Sequence, residues 1–475
     1  MSDTIKEDAS WIEAELSSAD FNELRLNKRF KILASQLSKQ PSLPINQASS
    51  DWAAAKAAYR FFQNPKVDYE KIMAPHVLNT SLRAKSHERI IIVQDSSSLD
   101  FSKHHKTSGL GMMHTFSDGE ELKGLMLHAT LALTEKGLPL GLLSEKMWAR
   151  EKQKIKGHAH TKLAISKKES FRWIEGLRDA HNLVPETTEI IMVCDREADI
   201  YEFFEEAIDL NVGLVVRLQH DRVLAEDDFD GLRIYDRLGL EKTYFTTKVE
   251  IPSSGKRVGR VAELEVRFAS VTLAASPRGI KTPRTKNRSD LDLWVVDLRE
   301  KSPPKGVEAL SWTLISTVEI NNQQSALQVM HYYKMRWTIE LYFKTLKTGC
   351  NIEACRMNDG RKLMSYIALQ SIFAWRLLWM TFLNRNAPSL SCETMLTENE
   401  WKTLWLKKNR RRIKSGEMAA EPPKTPPTVY EAVRWIAMLG GFLGRKNDGE
   451  PGMITLWRGW LQLLSAVEVY DLLTL

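Results

Sequence analysis

Two carboxylates close two of the most apolar runs in the chain: Asp95 ends RIIIVQD (89–95) and Asp195 ends IIMVCD (190–195). Open α/β sheets place their ligands at the carboxyl ends of their strands, so each aspartate is a candidate ligand holder. The same position also suits an aspartate that only caps a turn. A third acid, Glu340, lies in a helical stretch. At about 100° per residue, Tyr333, Arg336, Glu340, Lys344 and Lys347 fall on one face, and Met335, Ile339, Tyr342, Phe343 and Leu346 fall across from it. One reading is a solvated face carrying a Glu340–Lys344 ion pair. The other is phosphodiester chemistry, in which the acid holds a metal while the cations and the phenol grip neighbouring phosphates.

The elements needed to position these acids follow from the hydrophobic pattern. RIIIVQD and IIMVCD are continuous β-branched runs, as expected of central strands covered on both faces. Between them lie the strand-like GLMLHATLAL (124–133) and LPLGLLSEKMWAR (138–150), joined by a turn at Gly137, and a helical pattern over about 167–180. A helical segment, ADIYEFFEEA, leads to a further strand, GLVVR (213–217), whose last residue, Arg217, is a candidate DNA contact. A strand-rich insertion at about 225–305 contains SPRGIKTPRTKNR (276–288), with five basic residues and no acid. WTLIST (312–317) then resumes the strand pattern, and a long helix is expected from about 323 to 348.

Before this core, helices are expected over 9–16, 21–37 and 51–62. Their cations, among them Arg25, Lys28, Arg29 and Arg60, suit phosphate contact, as they would also suit a solvated face. After it come KKNRRRIK (407–414), the Pro-rich EPPKTPP (421–427) and a final amphipathic helical part. The expected division is a helical head (1–70), an α/β core (71–385) and a mainly helical tail (386–475).

Bulk properties agree with a large intracellular enzyme. At 475 residues the chain is long enough for about three domains. Its net charge of +7 is compatible with a polyanionic partner. Cys194, Cys350, Cys355 and Cys392 form no CxxC pair, which argues against a disulfide framework or a structural zinc site and favours a reducing cytosol. The amino terminus lacks the pattern of a secretory signal. The apolar run 366–383 is interrupted by Gln370, Ser371 and Arg376, so a buried helix is expected rather than a membrane span.

Taken together, VQDSSSLDF around Asp95, VCDREADI around Asp195, and the set Tyr333-x2-Arg336-x3-Glu340-x6-Lys347 followed by TG resemble the Tn-five type transposases of the insertion-sequence-four group. The resemblance extends to AAYRFFQNP (57–65), SPPKG (302–306) and AMLGGF (437–442), and so spans nearly the whole chain. It implies a ribonuclease H-like mixed-sheet core with Asp95, Asp195 and Glu340 as catalytic metal ligands for two Mg²⁺ ions, which Mn²⁺ replaces. It implies that Tyr333, Arg336 and Lys347 hold the phosphate beside the cut, and that Trp312 stacks on a flipped base. Glu197 and Asp199 have no place in that ligand pattern and are assigned to helix initiation.

The activity implied is cleavage of transposon ends through a hairpin and joining of the 3′ ends to target DNA. The partners implied are double-stranded DNA, both transposon ends and target, and a second copy of the chain in a synaptic complex. No membrane is expected, and the location implied is the cytoplasm, in association with the nucleoid. Two other readings stay open: a related nuclease or junction resolvase without strand transfer, and a non-catalytic DNA-binding inhibitor.

Overall fold

The computed structural model of the chain describes residues 11–115, 121–151, 164–225, 231–251, 259–275, 289–419, 421–445 and 448–474. The basic loop 276–288 lies outside the described residues.

The centre of the molecule is a ten-stranded mixed sheet in the order β2-β3-β1-β5-β6-β10-β9-β8-β7, with β4 paired to β3 off that path. Its inner strands are β1 (Arg89–Asp100), β5 (Glu189–Cys194), β6 (Gly213–Arg217) and β10 (Ser311–Ser316). β1 and β5 are parallel, as are β5 and β6, whereas β10 runs antiparallel to β6. On one side of this centre stand β2 (Gly111–Thr115), β3 (Glu121–Thr134) and β4 (Pro139–Trp148). On the other stand β7 (Phe245–Ile251), β8 (Arg260–Leu273) and β9 (Leu291–Glu300). The strand-rich insertion is therefore no separate module. Its strands pair edge to edge and extend the core sheet through β9 and β10.

Successive residues of a strand point to opposite faces, and the two faces here bury different cores. Ile91, Val93, Ile191 and Val193 belong to one apolar cluster, and Ile90, Ile92, Ile190, Met192 and Cys194 to the other. The first cluster is roofed by α9 (Gln323–Met335), α10 (Trp337–Lys344) and α11 (Gly360–Asn386). The second is covered by α6 (Arg172–Leu183), α7 (Tyr201–Asp209) and α8 (Ile234–Leu240). By this alternation Asp95 and Asp195, in step with Val93 and Val193, turn towards the face roofed by α10, the helix that carries Glu340.

The head contains α1 (Trp11–Glu15), α2 (Leu24–Lys39), α3 (Ile45–Ala48) and α4 (Trp52–Gln63), and α5 (Tyr69–Ala84) leads from it into the sheet domain. Asp51 and Asp68 start α4 and α5 by accepting backbone N–H groups of Ala54 and Lys71. Phe21, Phe30, Phe61 and Phe62 form an aromatic chain that ends edge-on against Tyr366 of α11, so the head shares its core with the sheet domain. Glu15 pins α1 to α5 by accepting from both Arg83 guanidinium nitrogens at 2.9 and 3.0 Å and pairing with His76 Nδ1 at 2.5 Å. The bonds to His76 and Arg83 outweigh burial and bring the Glu15 carboxyl down to about 2.

Helix α11 is long and apolar enough to cross a membrane, but 83% of its apolar stretch is buried inside the protein, as expected of a core helix. The tail continues with α12 (Glu398–Lys414), α13 (Val429–Leu439) and α14 (Met453–Thr474). A Cβ on Gly440 would lie 1.9 Å from the Thr455 oxygen and one on Gly459 1.7 Å from that of Ile436, so α13 and α14 meet where neither has a side chain. The four cysteines are buried and unpaired.

Candidate active site

Asp95 and Asp195 sit where two parallel strands part. The β1–β5 ladder ends at the pair Val93↔Val193, after which the strands share no backbone register. Beyond that point Asp95 stays in the β1–β3 ladder opposite Ala129, and each carboxylate is oriented by a nearby backbone N–H. Asp95 Oδ1 accepts the N–H of Ser96 at 2.7 Å, and Asp195 Oδ1 accepts the N–H of Glu197 at 2.8 Å. Asp195 thereby starts the 3₁₀ turn Arg196–Ala198.

Glu340 reaches the same place from α10. The Arg336 guanidinium bridges the acids, donating to Asp95 Oδ2 at 3.1 Å and to Glu340 Oε1 at 2.5 Å. Arg336 stands at the break between α9 and α10 and is nearly enclosed, with its guanidinium carbon 6.0 Å from the Tyr333 ring centre and 5.5 Å from that of Trp337. Burial pushes the Asp95 carboxyl up to about 6, with repulsion from Asp195 and Glu340 adding to it and the Ser96 N–H and Arg336 opposing. The buried Cys194 thiol rises for the same reasons, first burial and then the two aspartates. Asp95 therefore feels both other carboxylates, with Arg336 between it and Glu340.

Among the described residues, no three His, Cys, Asp or Glu side chains are grouped closely enough to hold an ion as they stand. The chemistry of the donor set nevertheless fits a hard divalent cation. All three acids are oxygen donors, the set includes no imidazole or thiolate, and their mutual repulsion is what a cation relieves.

Trp312, half-buried in β10, meets Tyr333 edge to face at 5.7 Å. It also lines a cleft of about 580 Å³ with Arg196, Arg217, Tyr235 and Arg260. Tyr333 itself is buried, and burial raises its phenol pKa. Two residues of the expected helical face stand apart from this group. The helix is interrupted at Arg336 and passes into a π-turn at Thr345–Gly349, which alters the phase of the residues beyond. Lys347 consequently feels Asp100 and Glu353, while Lys344 is exposed beside an apolar cavity under the tail helices. In the head, Arg25, Lys28, Arg29 and Arg60 are exposed, and none pairs with a described acid.

One assignment from the sequence is corrected by these contacts, and another is extended. Asp199 does not start α7; its buried carboxylate accepts the N–H groups of Gln219 and His220 and pairs with Arg222, tying down the loop after β6. Glu197 does begin a turn, but its carboxylate also binds Arg172 at 2.7 Å. Sequence reasoning missed Arg172, Ser96, His128 and Gln94 as a connected group. The available hint was a pair of polar residues flanking Asp95 in an otherwise apolar strand.

Three family models match the chain in order: transposase DNA-binding over residues 8–67, transposase DDE domain over 172–376, and Tn5 transposase dimerisation domain over 372–471. The DDE match contains Asp195 and Glu340 but begins after Asp95, whose place beside them comes from the geometry above. A mixed sheet carrying this acidic site, with a DNA-binding head and a dimerisation tail, defines a DDE transposase, a metal-dependent enzyme that cleaves and joins DNA. The dimerisation match narrows the class, and the chain belongs to the Tn5-type transposases.

Proposed function

We propose that this transposase frees its element by cutting each end through a hairpin and then joins the 3′ ends to target DNA, with Asp95, Asp195 and Glu340 holding Mg²⁺. The observation that carries this reading is the Arg336 bridge, which unites a strand acid and a helix acid 245 residues apart in sequence. When bound, a pair of divalent ions supplies Lewis-acid stabilisation of the attacking and leaving oxygens of an in-line displacement, and Mn²⁺ replaces Mg²⁺ because both accept octahedral oxygen ligation.

The chain's own residues divide the remaining work. Arg336 and Tyr333 hold the phosphate beside the cut, with Lys344 at the end of α10, Lys347 on the turn beyond and Arg217 in the neighbouring cleft. Trp312 offers its ring to a base drawn out of the stack as the hairpin closes. Arg25, Lys28, Arg29 and Arg60 hold end DNA through its phosphates.

The division into head (1–70), core (71–385) and tail (386–475) follows the work each part does. The functional unit is a homodimer that pairs two ends, acting in the cytoplasm on nucleoid DNA. Trp435, Met438, Leu439 and Phe442 remain partly exposed and Leu443 is 64% exposed, which supports the tail as the contact between copies.

The test is an in vitro reaction with DNA carrying the inverted repeats that flank the gene, a target plasmid and Mg²⁺. Hairpin ends followed by joined products support the reading. Hydrolysed ends that never join would show a nuclease, and bound but uncut DNA would show an inhibitor.

A further inference from the structure

We propose that Arg172 is a positioning residue that sets the separation of Asp95 and Asp195 by gripping the two residues that hold their carboxylates. The inference rests on the reading of Asp95 and Asp195 as metal ligands.

The need for such a device comes from the strand ladder. Its last pair is Val93↔Val193, two residues short of both aspartates, so no register pair of that ladder joins Asp95 to Asp195. Each carboxylate accepts one backbone N–H, from Ser96 for Asp95, which Arg336 also holds from the helix side, and from Glu197 for Asp195. The side chains of those same two residues meet on one guanidinium. Arg172 Nε donates to Ser96 Oγ at 2.8 Å, and its terminal nitrogen donates to Glu197 Oε2 at 2.7 Å. The other terminal nitrogen donates to the Glu169 carbonyl at 3.0 Å, which anchors the fork. One rigid, planar group thus spans the mouth where the strands part.

The surroundings hold the clamp in place. The guanidinium carbon lies 5.3 Å from the Trp173 ring centre and 6.0 Å from that of Trp148. Ser96 Oγ, having accepted from Arg172, directs its proton to His128 Nδ1 at 2.8 Å, and His128 Nε2–H donates to Gln94 Oε1 at 2.8 Å. That tautomer is neutral, in keeping with a His128 pKa far below its ordinary value, first from burial and then from Arg172 and Lys146. Gln94 is fully buried, and a Cβ on Gly176 of α6 would lie 2.4 Å from its oxygen. Both residues flanking Asp95 are therefore locked to α6.

A simple surface ion pair with Glu197 is the plainer explanation, and two observations weigh against it. Arg172 is the first residue of α6, where the helix dipole disfavours a cation, and its side chain is only 10% exposed. Burying a charge there has a cost that an exposed pair avoids. A pair also needs only a point charge, whereas the bridge needs the guanidinium fork.

The test is a Mn²⁺ titration by electron paramagnetic resonance on the full-length protein in complex with end DNA, for wild type, Arg172→Lys, Arg172→Gln, Glu197→Ala, the Arg172→Gln/Glu197→Ala double variant and Asp195→Ala. Arg172→Lys keeps the charge and loses the fork; Glu197→Ala changes a carboxylate that is 64% exposed and so leaves the fold intact. Arg172→Lys and Glu197→Ala are each expected to weaken Mn²⁺ binding about 10-fold or more, the usual effect of removing a support behind a metal ligand, with end-DNA binding unchanged. Arg172→Gln combined with Glu197→Ala is expected to bind Mn²⁺ no worse than Arg172→Gln alone, because both break one bridge. Mn²⁺ affinity within twofold of wild type in either Arg172→Lys or Glu197→Ala overturns the proposal. Asp195→Ala serves as the control: if it binds Mn²⁺ like wild type, the metal reading itself fails, and if only the Arg172 and Glu197 variants do so, the clamp alone fails.

Discussion

Glu145 gives the sharpest energetic prediction. It lies buried in β4 beneath α10, with Tyr342 OH donating to one carboxylate oxygen at 2.9 Å and Ser371 Oγ to the other at 3.0 Å. Burial raises its pKa from 4.5 to about 7, with the two hydroxyl donors only partly offsetting it. A raised carboxyl means that the folded state holds the proton more tightly than the unfolded chain does. The group therefore costs nothing below about pH 4.5, and its cost grows between 4.5 and 7 and is complete above about 7. That shift is worth at most about 3 kcal/mol. Glu145→Gln keeps the shape and removes the charge, and the two hydroxyls can turn to suit the amide. The variant should be more stable than wild type at pH 8 by up to that amount, roughly 5 °C in Tm for a cooperative unit of about 300 residues. The gain should vanish near pH 4.5. Differential scanning calorimetry of both proteins from pH 4.5 to 8.5 checks this. A Tm difference that stays constant across the range would refute the reasoning, because the carboxyl would then titrate alike in both states.

Two further predictions concern DNA. Trp312→Ala should slow hairpin formation more than the first nick, since stacking an extruded base is worth about 1–3 kcal/mol, and an abasic nucleotide at that position should partly rescue it; equal loss at every step together with a lower Tm would make Trp312 a packing residue only. Replacing Arg25, Lys28, Arg29 and Arg60 together by Gln should flatten the log–log salt dependence of end binding by up to about 4 × 0.9 in slope, read by fluorescence anisotropy; an unchanged slope would leave those cations as solvated surface.

The positions of the three acids were legible because each depends on a local pattern. A β-branched run ending in aspartate specifies a central strand and the edge at its end, and one helical turn relates Arg336 to Glu340. The core strands β1, β5, β6 and β10 were visible for the same reason. What stayed hidden depends on contacts between distant segments. That the insertion would extend the core sheet is decided by the pairing of β9 with β10, and nothing in either strand alone encodes it. Asp199 looked like a helix starter because its partners Gln219, His220 and Arg222 lie 20 or more residues away. Arg172 is separated from Ser96 by 76 residues and from Glu197 by 25, so no window of sequence joins the three. The π-turn that redirects Lys347 likewise has no marker in a regular 3.6-residue pattern.

The central claim is that Asp95, Asp195 and Glu340 form one metal-dependent cleavage site, separate from the surfaces that bind DNA. The direct measurement is nicking of labelled end DNA in Mg²⁺ and in Mn²⁺ by Asp95→Ala, Asp195→Ala and Glu340→Ala, with end binding measured alongside by gel shift. Every variant is expected to bind the end nearly as wild type does, and none to nick it in either metal. A variant that nicks at close to the wild-type rate would contradict the claim and remove that acid from the site.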